Sequence, residues 1–148
     1  MLLESGKKGK LTEFHCILDL TELGIRTLVP TDELSKYDVV ADIDNKFIRI
    51  QCKTASWATD TSEPNVAFYI STSYQTINTK KCTRYLYSKS DIDYFYTYFN
   101  GQGYLVPIEE ASGSVFRWRY DYPKNGQKVN VHIASDYKIE NILRDLRL

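Results

Sequence analysis

Residues 36–54 read KYDVVADIDNKFIRIQCKT, and the reading of the whole chain turns on them. The stretch divides into two short apolar-rich runs around a turn. Val39, Val40 and Ile43 load the first run; Phe47, Ile48 and Ile50 load the second. Asp44-Asn45 between them is turn chemistry, because Asn tolerates the left-handed backbone that tight hairpins need. The second strand then carries polar residues that a core strand should avoid. Gln51 and Lys53 are two apart and share a face, while Cys52 between them points the other way, into the core. Asp38 stands near the start of the first strand. A carboxylate, an amide and an ammonium on adjacent strands can converge on one point. Such a group suits metal-assisted phosphodiester hydrolysis. A carboxylate holds a hard cation through oxygen, the cation activates water and offsets phosphate charge, and a lysine orients the nucleophile or neutralises the transition state. An ordinary hairpin with one wet face has the same pattern and, for a hairpin in isolation, is the commoner case.

The rest of the chain narrows the choice. Its 148 residues favour a single domain, residues 1–148, with a real core. Hydrophobic content of 43% and charged content of 26% argue for a globular chain over a disordered one. The formal net charge is zero, so no global positive field steers the protein to nucleic acid, and charge has to be read locally. Cys16, Cys52 and Cys82 are odd in number and lack CxxC spacing, which points to a reducing compartment without disulfides or a zinc framework. The start, Met-Leu-Leu-Glu followed by lysines, lacks the apolar region of a signal peptide, and no apolar run is long enough to span a membrane. The expectation is a cytoplasmic protein without membrane contact.

Taken in order, residues 7–23 predict a helix. Leu11, Phe14, Ile17 and Leu18 recur at three- and four-residue steps, and Gly24 is a stop signal. Glu13 shares a face with Ile17 and Leu20, so it sits at or beside the apolar stripe, as a salt-bridged edge residue or as part of a site. Lys7, Lys8 and Lys10 crowd the helix N-terminus, where the macrodipole favours anions; phosphate contact or a frayed, solvated turn would explain them equally. A strand is expected over residues 25–29, a loop over 55–65 with Trp57 as a satellite anchor or, less commonly for such a residue, a nucleic-acid contact, and a strand over 66–72. Residues 73–90 read as a basic loop in which Lys80, Lys81, Arg84 and Lys89 interleave with Tyr74, Tyr85 and Tyr87, a mixture suited to phosphate and base contacts. Further strands are expected at 94–99, 104–108, 115–120 and 129–133. Arg117 and Arg119 lie on one face of the third of these, towards a DNA groove or towards solvent. Ser135 would cap a last helix over 136–146. His15 reads as structural. The fold class is α/β, with a central mixed sheet flanked by helices.

This order of residues resembles the PD-(D/E)XK nuclease superfamily. The resemblance rests on Glu13 on the first helix, Tyr37-Asp38 opening the hairpin, Gln51-Cys52-Lys53 on its second strand, and the later segments DYFYTYF and GYLVPI. Those last segments, the Gln-x-Lys variant and the small size are similar to the branch holding bacterial intron-encoded homing endonucleases. The resemblance implies a restriction-endonuclease-like core and divalent-metal cleavage of double-stranded DNA, with Mg2+ as the ion and Mn2+ as a substitute. It implies Asp38 as principal metal ligand, Glu13 as the helix carboxylate completing the site, the Cys52 backbone carbonyl as a further ligand, and Lys53 as the motif lysine. Gln51 takes the place usually held by Asp or Glu, so the site loses one negative charge but keeps an amide oxygen. Lys7, Lys8, Lys80, Lys81, Arg84, Arg117 and Arg119 are the candidate DNA contacts. One site cuts one strand, so double-strand cleavage implies a homo-oligomer, a dimer or a tetramer. The alternatives are a Holliday-junction-resolvase-like nuclease, which shares the core, and a non-catalytic DNA-binding relative, which Gln51 keeps open.

Overall fold

The structure, a computed structural model, describes residues 4–58, 65–69, 71–75 and 82–147. The chain runs through helix α1 (Ser5–Glu22), then β1 (Arg26–Leu28), β2 (Val39–Ile43), β3 (Lys46–Cys52), β4 (Ser56–Trp57), β5 (Val66–Tyr69), β6 (Ser71–Gln75), β7 (Cys82–Leu86), β8 (Tyr94–Phe99), β9 (Gln102–Pro107), β10 (Val115–Trp118) and helix α2 (Ile139–Arg147). Five strands form the central sheet in the order β1-β2-β3-β8-β9. The β3–β8 pair is parallel and the other pairs are antiparallel. The fold is the expected mixed α/β arrangement. The β2–β3 turn is the two-residue type anticipated, with Asp44 and Asn45 at φ 52° and 67° between paired Ile43 and Lys46. Gly24, at φ 75°, stops α1, and Ile25 N–H donates to the Leu20 carbonyl at 2.9 Å.

Alternation along the strands sends side chains into two cores. On one side α1 and α2 cover Val39, Ala41, Ile50, Cys52, Tyr96 and Leu105 with Cys16, Leu20, Ile139 and Leu143. On the other, the sheet β10-β5-β4 covers Phe95 and Val106 with Phe68, Phe116 and Trp118, whose rings pack at centroid distances of 5.6–6.2 Å. Within the helical side, the buried Tyr96 hydroxyl donates to Asp19 Oδ2 at 2.6 Å. Gly103 passes directly above that bond; a Cβ there would strike both the Asp19 carboxylate and the Tyr96 hydroxyl.

Several expectations need correction. Leu11, Phe14 and Leu18 do not face the sheet: they are exposed, and Thr12, Cys16 and Leu20 form the buried face of α1. Both sets have helical spacing, so periodicity alone could not choose between them. The loop expected over 55–65 contains β4, which exists through pairing with β5, Ser56 against Ala67 and Trp57 against Val66. The single strand expected over 66–72 is two, β5 and β6, in different sheets. The basic loop is in part a hairpin, with β6 paired to β7 from Ser71↔Leu86 to Gln75↔Cys82. Residues 129–133 make only an isolated parallel bridge, Arg119 to Ile133. Ser135 caps nothing; it lies in a 3-10 turn, Ala134–Tyr137, and its carbonyl accepts from Asn141 Nδ2 at 3.0 Å.

Candidate active site

Asp38 enters β2 through two bonds to β3. Its N–H donates to the Ile50 carbonyl at 2.8 Å, and its Oδ2 accepts the Cys52 N–H at 2.9 Å. Val39 pairs with Ile50, so one step back along β2 Asp38 falls opposite Gln51. Hairpin register therefore aims the carboxylate at the Gln51–Lys53 segment. Lys53 follows β3 directly. Its N–H donates to the Tyr96 carbonyl of β8 at 2.8 Å, and its ammonium stands 5.0 Å from the centroid of the Tyr87 ring.

Glu13 approaches from α1. Its Oε2 accepts Lys10 Nζ at 2.8 Å. Thr12, next to it and buried, places the helix: its hydroxyl donates to the Lys8 carbonyl at 3.0 Å and meets the Thr54 hydroxyl at 3.2 Å. This strap ties α1 to the end of the motif strand and so sets how far Glu13 reaches. Glu13 and Asp38 line one cleft of about 360 Å3, together with Lys10, Tyr37, Thr31 and Ser35.

The electrostatics follow from burial. Desolvation pushes the Asp38 carboxyl above the usual carboxylate range. The Glu13 carboxylate adds to this, while the Cys52 N–H, Lys53 and Lys10 work against it. Desolvation also pushes the Lys53 ammonium below the usual lysine range, with Asp38 restoring part. The hydrogen bond to Glu13, and then its charge, raise Lys10. Two carboxylates therefore line one cleft, and a desolvated lysine lies within electrostatic reach of one of them, Asp38.

The donors suit a hard divalent ion. Asp38 keeps one carboxylate oxygen beyond the Cys52 bond, and Glu13 keeps one beyond the Lys10 bond. Among the described residues no three acidic, histidine or cysteine side chains come together, so further ligands have to be neutral oxygens. Gln51 Nε2 donates to the Cys52 carbonyl at 3.3 Å. That carbonyl retains a second lone pair, and the Gln51 amide oxygen is a further donor.

The DNA-contact candidates are more dispersed. Lys7 and Lys8 are exposed on the first turns of α1, and Lys10, not they, walls the cleft. Arg117 on β10 donates to Asn65 Oδ1 at 3.5 Å and lines a second cavity of about 220 Å3 with Glu110, Asn130 and His132. Arg119 lies just past β10, with its N–H on the His132 carbonyl at 2.8 Å. Arg84 lies on β7 opposite Ser73 in the register; Lys80 and Lys81 lie outside the described residues. His15 stacks on Tyr98, the ring centroids 3.7 Å apart.

Sequence reasoning missed the Thr12–Thr54 strap and the role of Lys10 beside Glu13. The first had no readable signal, since two threonines 42 residues apart have no spacing. The second did: Lys10 and Glu13 are three apart on a helix. It also missed Arg49, whose guanidinium donates to Asp93 at 3.2 Å through Nε and through Nη2, and to the Ser90 and Lys89 carbonyls at 2.7 and 2.9 Å.

Comparison with known proteins gives two findings. The family model described as PD-(D/E)XK endonuclease matches residues 3–140. Among solved structures, the fold is similar to that of a bacterial homing endonuclease, I-Ssp6803I, with a TM-score of 0.74 and 17% identity over 97% of this chain and 95% of that one. None of the curated proteins matches.

Proposed function

Because the chain belongs to the PD-(D/E)XK endonuclease family and is thus a DNA endonuclease, we propose that it cuts double-stranded DNA at a specific site with a divalent metal ion, in the manner of a homing endonuclease. The observation that carries this reading is the convergence of Asp38 and Lys53 at the end of β3. The Asp38 carboxylate takes the Cys52 N–H at 2.9 Å, and the desolvated Lys53 ammonium lies within its electrostatic reach. Glu13 and Asp38 would hold the ion, with the Cys52 carbonyl and the Gln51 amide oxygen as neutral donors. Mg2+ fits this all-oxygen set, and Mn2+ would substitute. When bound, such an ion supplies Lewis acidity, activating water and offsetting phosphate charge.

The chain's own residues do the rest. Asp38, fixed by two backbone bonds, orients. Lys53, its ammonium destabilised by burial, positions the attacking water or donates to the non-bridging phosphate oxygens. Lys10, bonded to Glu13 Oε2 at 2.8 Å, offsets part of its charge and leaves the other carboxylate oxygen to the ion. One such site cuts one strand, so cleavage of both strands needs at least two copies. Arg117 and Arg119 are offered as phosphate contacts on the face of the second sheet.

The test is incubation with a randomised duplex library and magnesium, followed by sequencing of the cut ends. A single clustered target is expected. Uniform cutting, or preference for a four-way junction in a parallel panel, would overturn site-specific cleavage.

A further inference from the structure

Helix α1 is apolar on the side facing away from its own sheet. Thr12, Cys16 and Leu20 are buried, yet Leu11, Phe14 and Leu18 are 45%, 60% and 51% exposed. At about 100° per residue these three fall within an arc of roughly 60°, centred almost opposite Cys16. A helix apolar on two opposite sides is built to be covered on both.

The charges on α1 say by what. Its N-terminal half carries Lys7, Lys8 and Lys10, with no acidic residue in the first turn; Asp19 and Glu22 lie towards its C-terminus, with no basic residue in the last turn. Beyond the N-cap Glu4, the charges at both ends oppose the helix dipole, whose N-terminus favours anions and whose C-terminus favours cations. We propose that a second copy of this chain covers the stripe, with the two α1 helices antiparallel about a twofold axis passing between Phe14 and His15. Under that symmetry each position pairs with the one for which the two numbers sum to 29. Leu11 then meets the second copy's Leu18, the two Phe14 rings meet at the axis, and Lys7 meets the second copy's Glu22. Each helix supplies the counter-charge that the other's ends lack. Parallel pairing would instead place lysines beside lysines. The arrangement is isologous and closed, as a symmetric dimer requires.

The consequence rests on the reading of the chain as a double-strand endonuclease; the docking itself rests on α1 alone. The twofold axis is perpendicular to the plane of the two helices, so groups pointing along it stay on one side. Glu13 lies about 130° around the helix from the centre of the stripe. Both Glu13 carboxylates therefore emerge on the same side of the dimer, within about 4.5 Å of each other along the helix direction. Two clefts opening to one side can address the two strands of one duplex.

Sedimentation velocity of the full chain tests this. The wild type should run as a dimer or a multiple of one, and Phe14→Glu should halve the assembly without loss of helical circular dichroism. Lys7→Glu and Glu22→Lys should each weaken association about tenfold, and the double variant should restore it. On supercoiled plasmid, Phe14→Glu should nick without linearising. An assembly size unchanged in Phe14→Glu, or a charge-swapped double no better than its parents should Phe14→Glu fail to fold, would overturn the docking. If the variants dissociate the dimer but even the wild type leaves DNA intact, the docking stands and the nuclease reading falls.

Discussion

Arg49 and Lys53 lie on the same face of one strand segment, four residues apart, and their surroundings are opposites. Around Arg49 the charge is satisfied. Its guanidinium reaches both Asp93 oxygens and two carbonyls, and its N–H also donates to Asp93 at 2.8 Å. Burial works against the Asp93 carboxylate, but the Arg49 donors outweigh it and hold Asp93 below the usual range. Around Lys53 burial has the upper hand: it pushes both Lys53 and Asp38 towards their neutral forms. A polar cluster that stabilises charge holds strands together; one in which burial disfavours the charged forms is the kind of place where function is sought.

The contrast breaks most sharply at the Lys53 end. Asp38→Ala or Lys53→Ala should lower cleavage by about a thousandfold or more while leaving circular dichroism and DNA affinity near wild type. Cleavage by either at the wild-type rate in saturating magnesium would remove the site from this position. Next come the ligands. Glu13→Gln should weaken magnesium binding by at least about tenfold, and Gln51→Glu should strengthen it, as calorimetry would show. A flat affinity in Glu13→Gln would make Glu13 a salt-bridged edge residue only.

At the Arg49 end the expected loss is of stability. Arg49→Ala should destabilise the fold by about 2 kcal/mol in urea titration, leaving Asp93 short of its donors, with activity per folded molecule preserved. The opposite sign is expected at Asp38. Its carboxyl titrates higher in the folded chain than the ordinary 3.8, so the folded state keeps a proton that the unfolded chain has lost. Metal-free stability then falls as pH rises from 3.8 through the folded value. Asp38→Asn keeps the acceptor for the Cys52 N–H and removes the charge. It should raise the metal-free melting temperature at pH 7 by a few degrees, a gain that vanishes in acid. The smallest effect is at Arg117, where neutralisation should reduce the salt slope of DNA binding by about 1.

The motif hairpin was legible because everything that specifies it is local: alternation, a two-residue turn, and polar residues on one face of β3. The strand at Tyr94–Phe99 was legible for the same reason. What escaped depends on distant partners. β4 is two residues long and is a strand only beside β5. The chain passes from β5 to β6 by changing sheets, which composition does not encode. On α1 the error has a clear cause: its outer face is as apolar as its inner one. Of the candidate site, the common edge of Asp38, Gln51 and Lys53 is readable from strand alternation, and the place of Glu13 from helical spacing. The Thr12–Thr54 strap that sets the reach of Glu13 could not.

The parallel pairing of β3 with β8 also bears on the order in which the chain comes to life. Asp38 and Lys53 belong to a hairpin that can close locally, on the microsecond scale. Yet the Lys53 N–H is held by the Tyr96 carbonyl, across residues 54–95. Closing so long a loop for a parallel register is slow and comes after local structure. A nascent chain halted before β8 would carry every letter of the motif and still lack the strand that fixes its lysine. Cutting ability should therefore appear late in synthesis, once β8 has left the ribosome and docked.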